Sequence, residues 1–290
     1  MYHHHGVSIL EILIGDLETK KNKPNYDSSY LKRLEDFLEN KIKEEYGNIP
    51  VVAASLLVKL NKKENNEISK ENRWYVSNKV FAKYFEELLR SKTKSKIYPL
   101  ISVEYFNGYP ILIVGEPDGL SFEGNKAKIY EVKSFNLTDF IDHVRESRED
   151  ILNREIFKLI KINSIQLMLY QYLLKRTQEF GLFNNIDKIN LYEKIYIYSE
   201  NIEYLDWARE TIEQNFNTIK MIAKGYNTYN LSLKDNLSLE YIGTININNK
   251  RIYYFEIDSR VGYNQKIVKY YLKNLDGIIK SSNRVDNRNL

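Results

Sequence analysis

The chain has 290 residues, with 43 Lys and Arg against 39 Asp and Glu, and a net charge of +4. At 43% hydrophobic and 28% charged residues it reads as an ordinary globular chain, and no apolar run approaches the roughly 20 residues that span a bilayer, so no membrane is expected. It contains no cysteine, which excludes disulfides, thiolate zinc sites and cysteine nucleophiles and fits an intracellular setting.

Residues 1–24 lack a basic region followed by an apolar stretch and a cleavage site, so no signal peptide is expected. His3-His4-His5 receives no function, because such a run at a terminus is commonly a disordered end. The spacing predicts a short strand over 9–14 and a helix over 26–46, capped by Asp27 or Ser28 and stopped by Gly47. Residues 51–60 open the core, and a helix follows over 79–91. The basic loop Lys92-Thr-Lys-Ser-Lys96 comes next. Of the Lys clusters it points most directly to a phosphate track, since it precedes the segment richest in chemistry.

That segment begins with an apolar strand over 100–106 ending at Asn107-Gly108, a two-residue hairpin signal. A nearly continuous apolar strand over 109–114 follows, and it reads as buried. Gly115 and Pro117-Asp118-Gly119 break it. Strands over 120–122 and 127–134 then flank Gly124-Asn125. Glu131 and Lys133 are two apart on a strand, so they share a face, while Val132 points the other way. Neighbouring strands lie about 4.8 Å apart, so Asp118 reaches the same place as Glu131. Two carboxylates beside a lysine can hold a hard divalent cation and face a water or a phosphate. A helix over 153–180 carries Gln166 and Tyr170, four apart and so on one face. Beyond it come a strand over 192–198, a helix over 202–223 stopped by Gly225, a hairpin (239–247 and 250–258) turning at Asn248-Asn249, and a helix over 265–279.

Asp118, then Glu131-Val132-Lys133, then Gln166-x-x-x-Tyr170 resembles the PD-(D/E)XK nuclease superfamily, over about residues 50–200. Within it the Gln-x-x-x-Tyr helix is similar to the RecB-like branch, which includes CRISPR-associated RecB-like exonucleases. The resemblance implies an α/β, restriction-endonuclease-like fold, with a mixed central sheet flanked by helices and extra N- and C-terminal elements. Its core is a helix, a three-strand meander over 100–134, a helix and a strand. It implies Asp118 and Glu131 as ligands of Mg²⁺ or Mn²⁺, with the Val132 backbone carbonyl as a further ligand. Lys133 would orient the attacking water and stabilise phosphorane charge. Gln166 and Tyr170 would lie on the substrate backbone or support Lys133. Two features depart from the branch. Ala82 stands where the preceding helix usually carries a His, so Glu86 or Glu87 is a candidate metal ligand there, and Glu104 on the first meander strand is another. Glu116 is expected to face solvent. Without cysteine, the iron–sulfur cluster of the CRISPR-associated members cannot form.

The expected organisation is an N-terminal helical extension at 1–50, a nuclease core at 51–225 and a small hairpin-helix appendage at 226–290, or one continuous domain. The expected activity is metal-dependent hydrolysis of DNA, single-stranded or with free ends, by exonuclease or endonuclease action. The alternative is a catalytically inactive DNA-binding or assembly subunit of the same fold. Self-association is left open. The abundance of Lys, Glu and Ile, the 24 Tyr and the 3 Met lean towards a heat-adapted, archaeal or viral source, and the many Asn residues lean against it.

Overall fold

The computed structural model describes residues 8–59, 79–145, 147–226, 230–233, 243–247, 249–273 and 275. His3–His5, the strand start at 239, Asn248 and the part of the expected last helix beyond 275 lie outside them. The chain forms an α/β structure of two mixed sheets flanked by helices. No described helix is long and apolar enough to cross a membrane.

The first sheet has the order β1-β2-β4-β3, from β1 (Ser8–Ile9), β2 (Pro50–Ala53), β4 (Tyr109–Gly115) and β3 (Leu100–Phe106). Alternation decides its packing. Val51, Leu112 and Val114 face α1 (Leu10–Lys20) and α2 (Ser28–Phe37), whereas Val52, Ile111 and Ile113 face the main core. Both faces are covered, which is why 109–114 reads as an unbroken apolar run. The expected helix over 26–46 appears as α2, a π-helical turn (Leu38–Ile42) and α3 (Lys43–Tyr46). The Asp27 carboxylate accepts the Tyr30 N–H at 2.9 Å as its N-cap. Gly47 ends it at φ +70°, a left-handed stop suited to glycine. The strand expected over 9–14 is instead mostly helix. Leu10, Leu13 and Leu17 are buried at helical spacing, and the run 9–14 is too short to show that period by itself.

The second sheet has the order β5-β6-β7-β10-β8: β5 (Gly119–Glu123), β6 (Lys126–Asn136), β7 (Lys188–Ser199), β10 (Lys250–Val261) and β8 (Asn230–Leu233), with β9 (Thr244–Ile247) also on β10. β6 and β7 run parallel and the other pairs antiparallel. The expected single meander over 100–134 is therefore divided. β3 and β4 belong to one sheet and β5 and β6 to the other, because Gly115 through Asp118 turns the chain between them. The division is bridged where Lys96 and Leu120 exchange both backbone hydrogen bonds (3.0 and 2.8 Å). The C-terminal hairpin is continuous with this sheet, since β10 lies along β7 from Val261 opposite Leu191 to Tyr253 opposite Ser199.

α4 (Ala54–Lys59) lies on the first sheet. α5 (Lys79–Thr93) packs Phe85 and Leu89 on one face of the second, against Val132, Tyr196 and Tyr198. α6 (Leu137–His143) leads to α7 (Arg148–Glu179), which spans both sheets, and α8 (Ile202–Tyr226) and α9 (Gln265–Leu272) pack beside it. α8 continues through Gly225, so that glycine is not its stop. Thr177 of α7 accepts the Ile101 N–H at 2.8 Å, which ties the helix to β3. At Gly115 the approach is closest. A Cβ there would lie 2.7 Å from Leu173 Cδ1 and 2.8 Å from Tyr170 Cδ1. Gly115→Ala is therefore expected to destabilise the protein by about 1–3 kcal/mol through overpacking. Denaturant unfolding checks it, and an unchanged midpoint would show that the contact is loose.

Candidate active site

Asp118 sits at the bend just before edge strand β5, and Glu131 and Lys133 project from neighbouring β6. The face assignment made from sequence agrees with the packing. Val132 joins Phe85 on the α5 side, while Glu131 and Lys133 share the α7 side with Ile129 and Phe135. Lys133 Nζ donates to Glu131 Oε1 at 2.5 Å and lies 3.3 Å from the Val132 carbonyl. Asp118 Oδ2 accepts the Val132 N–H at 2.7 Å, which fixes its carboxylate beside β6.

Burial makes this cluster electrostatically tense. Glu131 is 3% exposed, and its Oε2 has no hydrogen-bond partner among the described residues. Burial first, and then the Asp118 charge, push its carboxyl up to about 8 against the pull of Lys133. Burial alone would lower the Lys133 ammonium, but the Glu131 and Asp118 charges outweigh it and hold it above its ordinary value.

The two helix acids left open by the sequence separate cleanly. Glu86 turns into the site, where burial and the Asp118 charge raise it to about 7. Glu87 is exposed and pairs with Lys83 at 3.7 Å on the outer face. Ala82 precedes Glu86 by one helical turn, so the two share a face of α5. Arg90, one turn further, lies 3.6 Å from Glu86 and donates to the Asp118 carbonyl at 2.9 Å. Glu104 is placed elsewhere, within hydrogen-bonding distance of Ser102 and of the Tyr172 hydroxyl on the first sheet, and does not join the cluster. Glu116 is not solvent-facing as expected. It accepts from Lys20 at 2.5 Å and from the Tyr26 hydroxyl at 3.2 Å, because α1 and α2 cover the turn.

On α7, Tyr170 is 4% exposed, and burial together with the Glu131, Asp118, Glu116 and Glu86 charges keeps its phenol protonated. Gln166 is 8% exposed, with its Oε1 lacking a partner among the described residues. Such burial suits residues that support the site more than residues that meet a long polymer. Lys92, Lys94 and Lys96 are exposed, and the Lys96 backbone pairs with Leu120 of β5 while its ammonium lies 4.0 Å from Asp27. Sequence reasoning missed Arg90 and Glu193. Spacing from Glu86 signals Arg90. Alternation with Leu191 and Ile195 places Glu193 on the buried face.

The residues fit a divalent cation in part. Asp118, the orphaned oxygen of Glu131 and the Val132 carbonyl are hard oxygen donors on one edge. Among the described residues, no three carboxylate or imidazole groups converge as a preformed cage. No family model matches the chain, and no curated protein matches it. A solved structure described as "Crystal structure of SSO0001" is similar over 70% of this chain and 85% of that one, at 12% identity and a TM-score of 0.28. A likeness that slight assigns neither fold nor activity.

Proposed function

We propose that the chain is a metal-dependent deoxyribonuclease on a restriction-endonuclease-like core, acting on single-stranded or end-bearing DNA as an exonuclease or endonuclease. One observation carries the reading. A buried carboxylate, Glu131, holds Lys133 with one oxygen and leaves the other unmatched beside Asp118. A buried carboxylate that no protein group satisfies is costly, unless a cation or a proton completes it.

Mg²⁺ or Mn²⁺ held by Asp118, Glu131 and the Val132 carbonyl would neutralise phosphate charge and acidify a bound water. Lys133 then serves as a hydrogen-bond donor at the mouth of the cluster, about a third exposed, facing the attacking water or the phosphate oxygens. Arg90 fixes the Asp118 backbone and tempers Glu86. Tyr170 and Gln166 hold the α7 side of the cluster, so Gln166→Ala should weaken cleavage without abolishing it. The exposed lysines at 92–96 offer a sequence-independent track for the DNA backbone. An intracellular, archaeal or viral origin remains part of the same proposal.

Two facts favour the second reading, a DNA-binding or assembly subunit without catalysis: Ala82 in place of the helix His, and the absence of a preformed cage among the described residues. Glu86 decides between them. For a nuclease, Glu86→Gln should lower the rate at limiting Mn²⁺ by roughly tenfold, with rescue at high Mn²⁺, while Glu87→Gln changes nothing. Equal rates for both variants would remove Glu86 from the site. Salt-sensitive DNA binding without cleavage in any metal would favour the non-catalytic subunit.

A further inference from the structure

The net charge of the chain sits at one end. Residues 265–290 hold six Lys and Arg against two Asp, so they carry the whole of the +4, and the 264 residues before them balance. An asymmetry of that kind points to a polyanionic partner. The described part of this stretch is α9. Its cap is Asn264, whose Oδ1 accepts the Lys266 N–H at 3.0 Å. Val268 and Tyr271 are buried in the main core, with Ile267 and Leu272 packed against it. The opposite face, at i, i+3, i+4 and i+7, presents Lys266, Lys269, Tyr270 and Lys273. All four are exposed, Tyr270 to 53%.

Local preference does not account for this charge. Lys269 and Lys273 stand near the C-terminus of α9 and suit the helix dipole. Lys266 stands in the first turn, where a cation is disfavoured, and no acid in that turn offsets it. A charge kept against local preference is expected where a partner uses it. The surface continues onto α7. Its exposed Lys175 lies 5.7 Å from the centre of the Tyr263 ring, and Tyr263 directly precedes the Asn264 cap. Lys175 is five residues beyond Tyr170, about 7.5 Å further along the α7 axis.

We propose that the exposed face of α9 is a binding surface for single-stranded DNA, separate from the lysines at 92–96. Lys266, Lys269 and Lys273 meet phosphates, and Tyr270 stacks on an unpaired base. Charge complementarity selects a polyanion. An anionic bilayer fits less well, because the apolar side of α9 is already spent on the core and cannot enter lipid. The single strand follows from Tyr270, since only an unpaired base offers its face to an aromatic ring. The inference rests on the DNA-binding part of the proposed function and needs no cleavage at Asp118.

The test is binding of the full chain to labelled oligo(dT) in EDTA, read by fluorescence anisotropy across a salt titration. Combined Lys266→Gln, Lys269→Gln and Lys273→Gln should weaken binding roughly tenfold at low salt. It should also lower the slope of log K against log salt by about 2, at about 0.7 per phosphate contact. Lys266→Gln alone should lower it by about 0.7, which keeps the test open if the triple variant does not fold. Lys23→Gln, Lys32→Gln and Lys41→Gln, three exposed lysines changed together, remove the same charge elsewhere and should leave both quantities unchanged. Tyr270→Ala should weaken oligo(dT) about fivefold at an unchanged slope and leave duplex binding alone. Equal losses in the two triple variants would assign the effect to overall charge and overturn the proposal, as would unchanged binding in the α9 variants or a wild-type chain that binds no oligo(dT). Equal loss of duplex with Tyr270→Ala would overturn the choice of a single strand. Cleavage with Mn²⁺ on the same proteins keeps the two ideas apart. Binding through α9 without cleavage would sink the nuclease alone, and cleavage with α9 variants that bind as wild type would sink this surface alone.

Discussion

Glu131→Gln is expected to lower DNA cleavage by about 10²–10³-fold at saturating Mg²⁺, while the fold survives. The loss follows from removing one anionic ligand and the partner that aims Lys133, since metal charge stabilisation is worth several kcal/mol and each 1.4 kcal/mol is tenfold in rate. Survival of the fold follows from the same burial. At 3% exposure the carboxyl resists ionisation, so a neutral amide of equal shape suits the metal-free protein. Lys133→Ala acts differently. It is also expected to abolish cleavage, but it strips Glu131 of its hydrogen-bond partner among the described residues and should cost stability as well. Steady-state rates with thermal melts on both variants separate the effects. A Glu131→Gln rate within threefold of wild type would remove Glu131 from the chemistry.

The metal-free protein is expected to lose stability as pH rises from about 5 to 8.5, by roughly 2–4 kcal/mol. Glu131 and Glu86 sit near 8 and 7 in the folded chain against 4.5 ordinarily, and Asp258 near 6 against 3.8. Between those limits the folded state binds more protons than the unfolded state, so unfolding releases protons and raising the pH favours it. The figure is kept below the simple sum of shifts because Glu131 and Glu86 titrate against each other and about a third of the Glu86 side chain reaches solvent. Lys133, raised from 10.5, contributes only at higher pH. Mn²⁺ at pH 8 should reverse the trend, because a cation binds the ionised carboxylates of the folded chain. Melting temperatures at pH 5.5, 7 and 8.5, with EDTA and with Mn²⁺, give the readout. A metal-free melt that rises with pH would show that these carboxyls are ionised and well solvated.

Local signals were legible wherever sequence spacing alone decides geometry. Glu131 and Lys133 share a face because strand period is two, and Asp27 and Gly47 delimit a helix by side-chain capping and a positive φ. Asn107-Gly108 and Gly124-Asn125 form the expected turns. What was not legible depends on distant chain. The partition of the meander between two sheets turns on β2, which pairs with β4 from about 60 residues upstream. The burial of Glu116 needs Lys20 at the end of α1 and Tyr26 in the connection to α2. β8 was not anticipated, because Asn230–Leu233 is short and its partner, β10, follows only after a long excursion. Glu86 could not be told from Glu87 by sequence, since helical period places each on a face without saying what that face meets. Glu193 had a usable signal, a charged residue at an inward position of a central strand between Leu191 and Ile195.

The most direct measurement is cleavage of end-labelled single-stranded and duplex DNA with Mg²⁺, with Mn²⁺ and with EDTA, running Lys133→Ala beside wild type. Products that need a metal and vanish with Lys133 are the expected result, and their ladder separates exonuclease from endonuclease action. A wild-type chain that binds DNA but cleaves nothing in either metal, or a Lys133→Ala chain that cleaves as well as wild type, would contradict a nuclease centred on Asp118, Glu131 and Lys133.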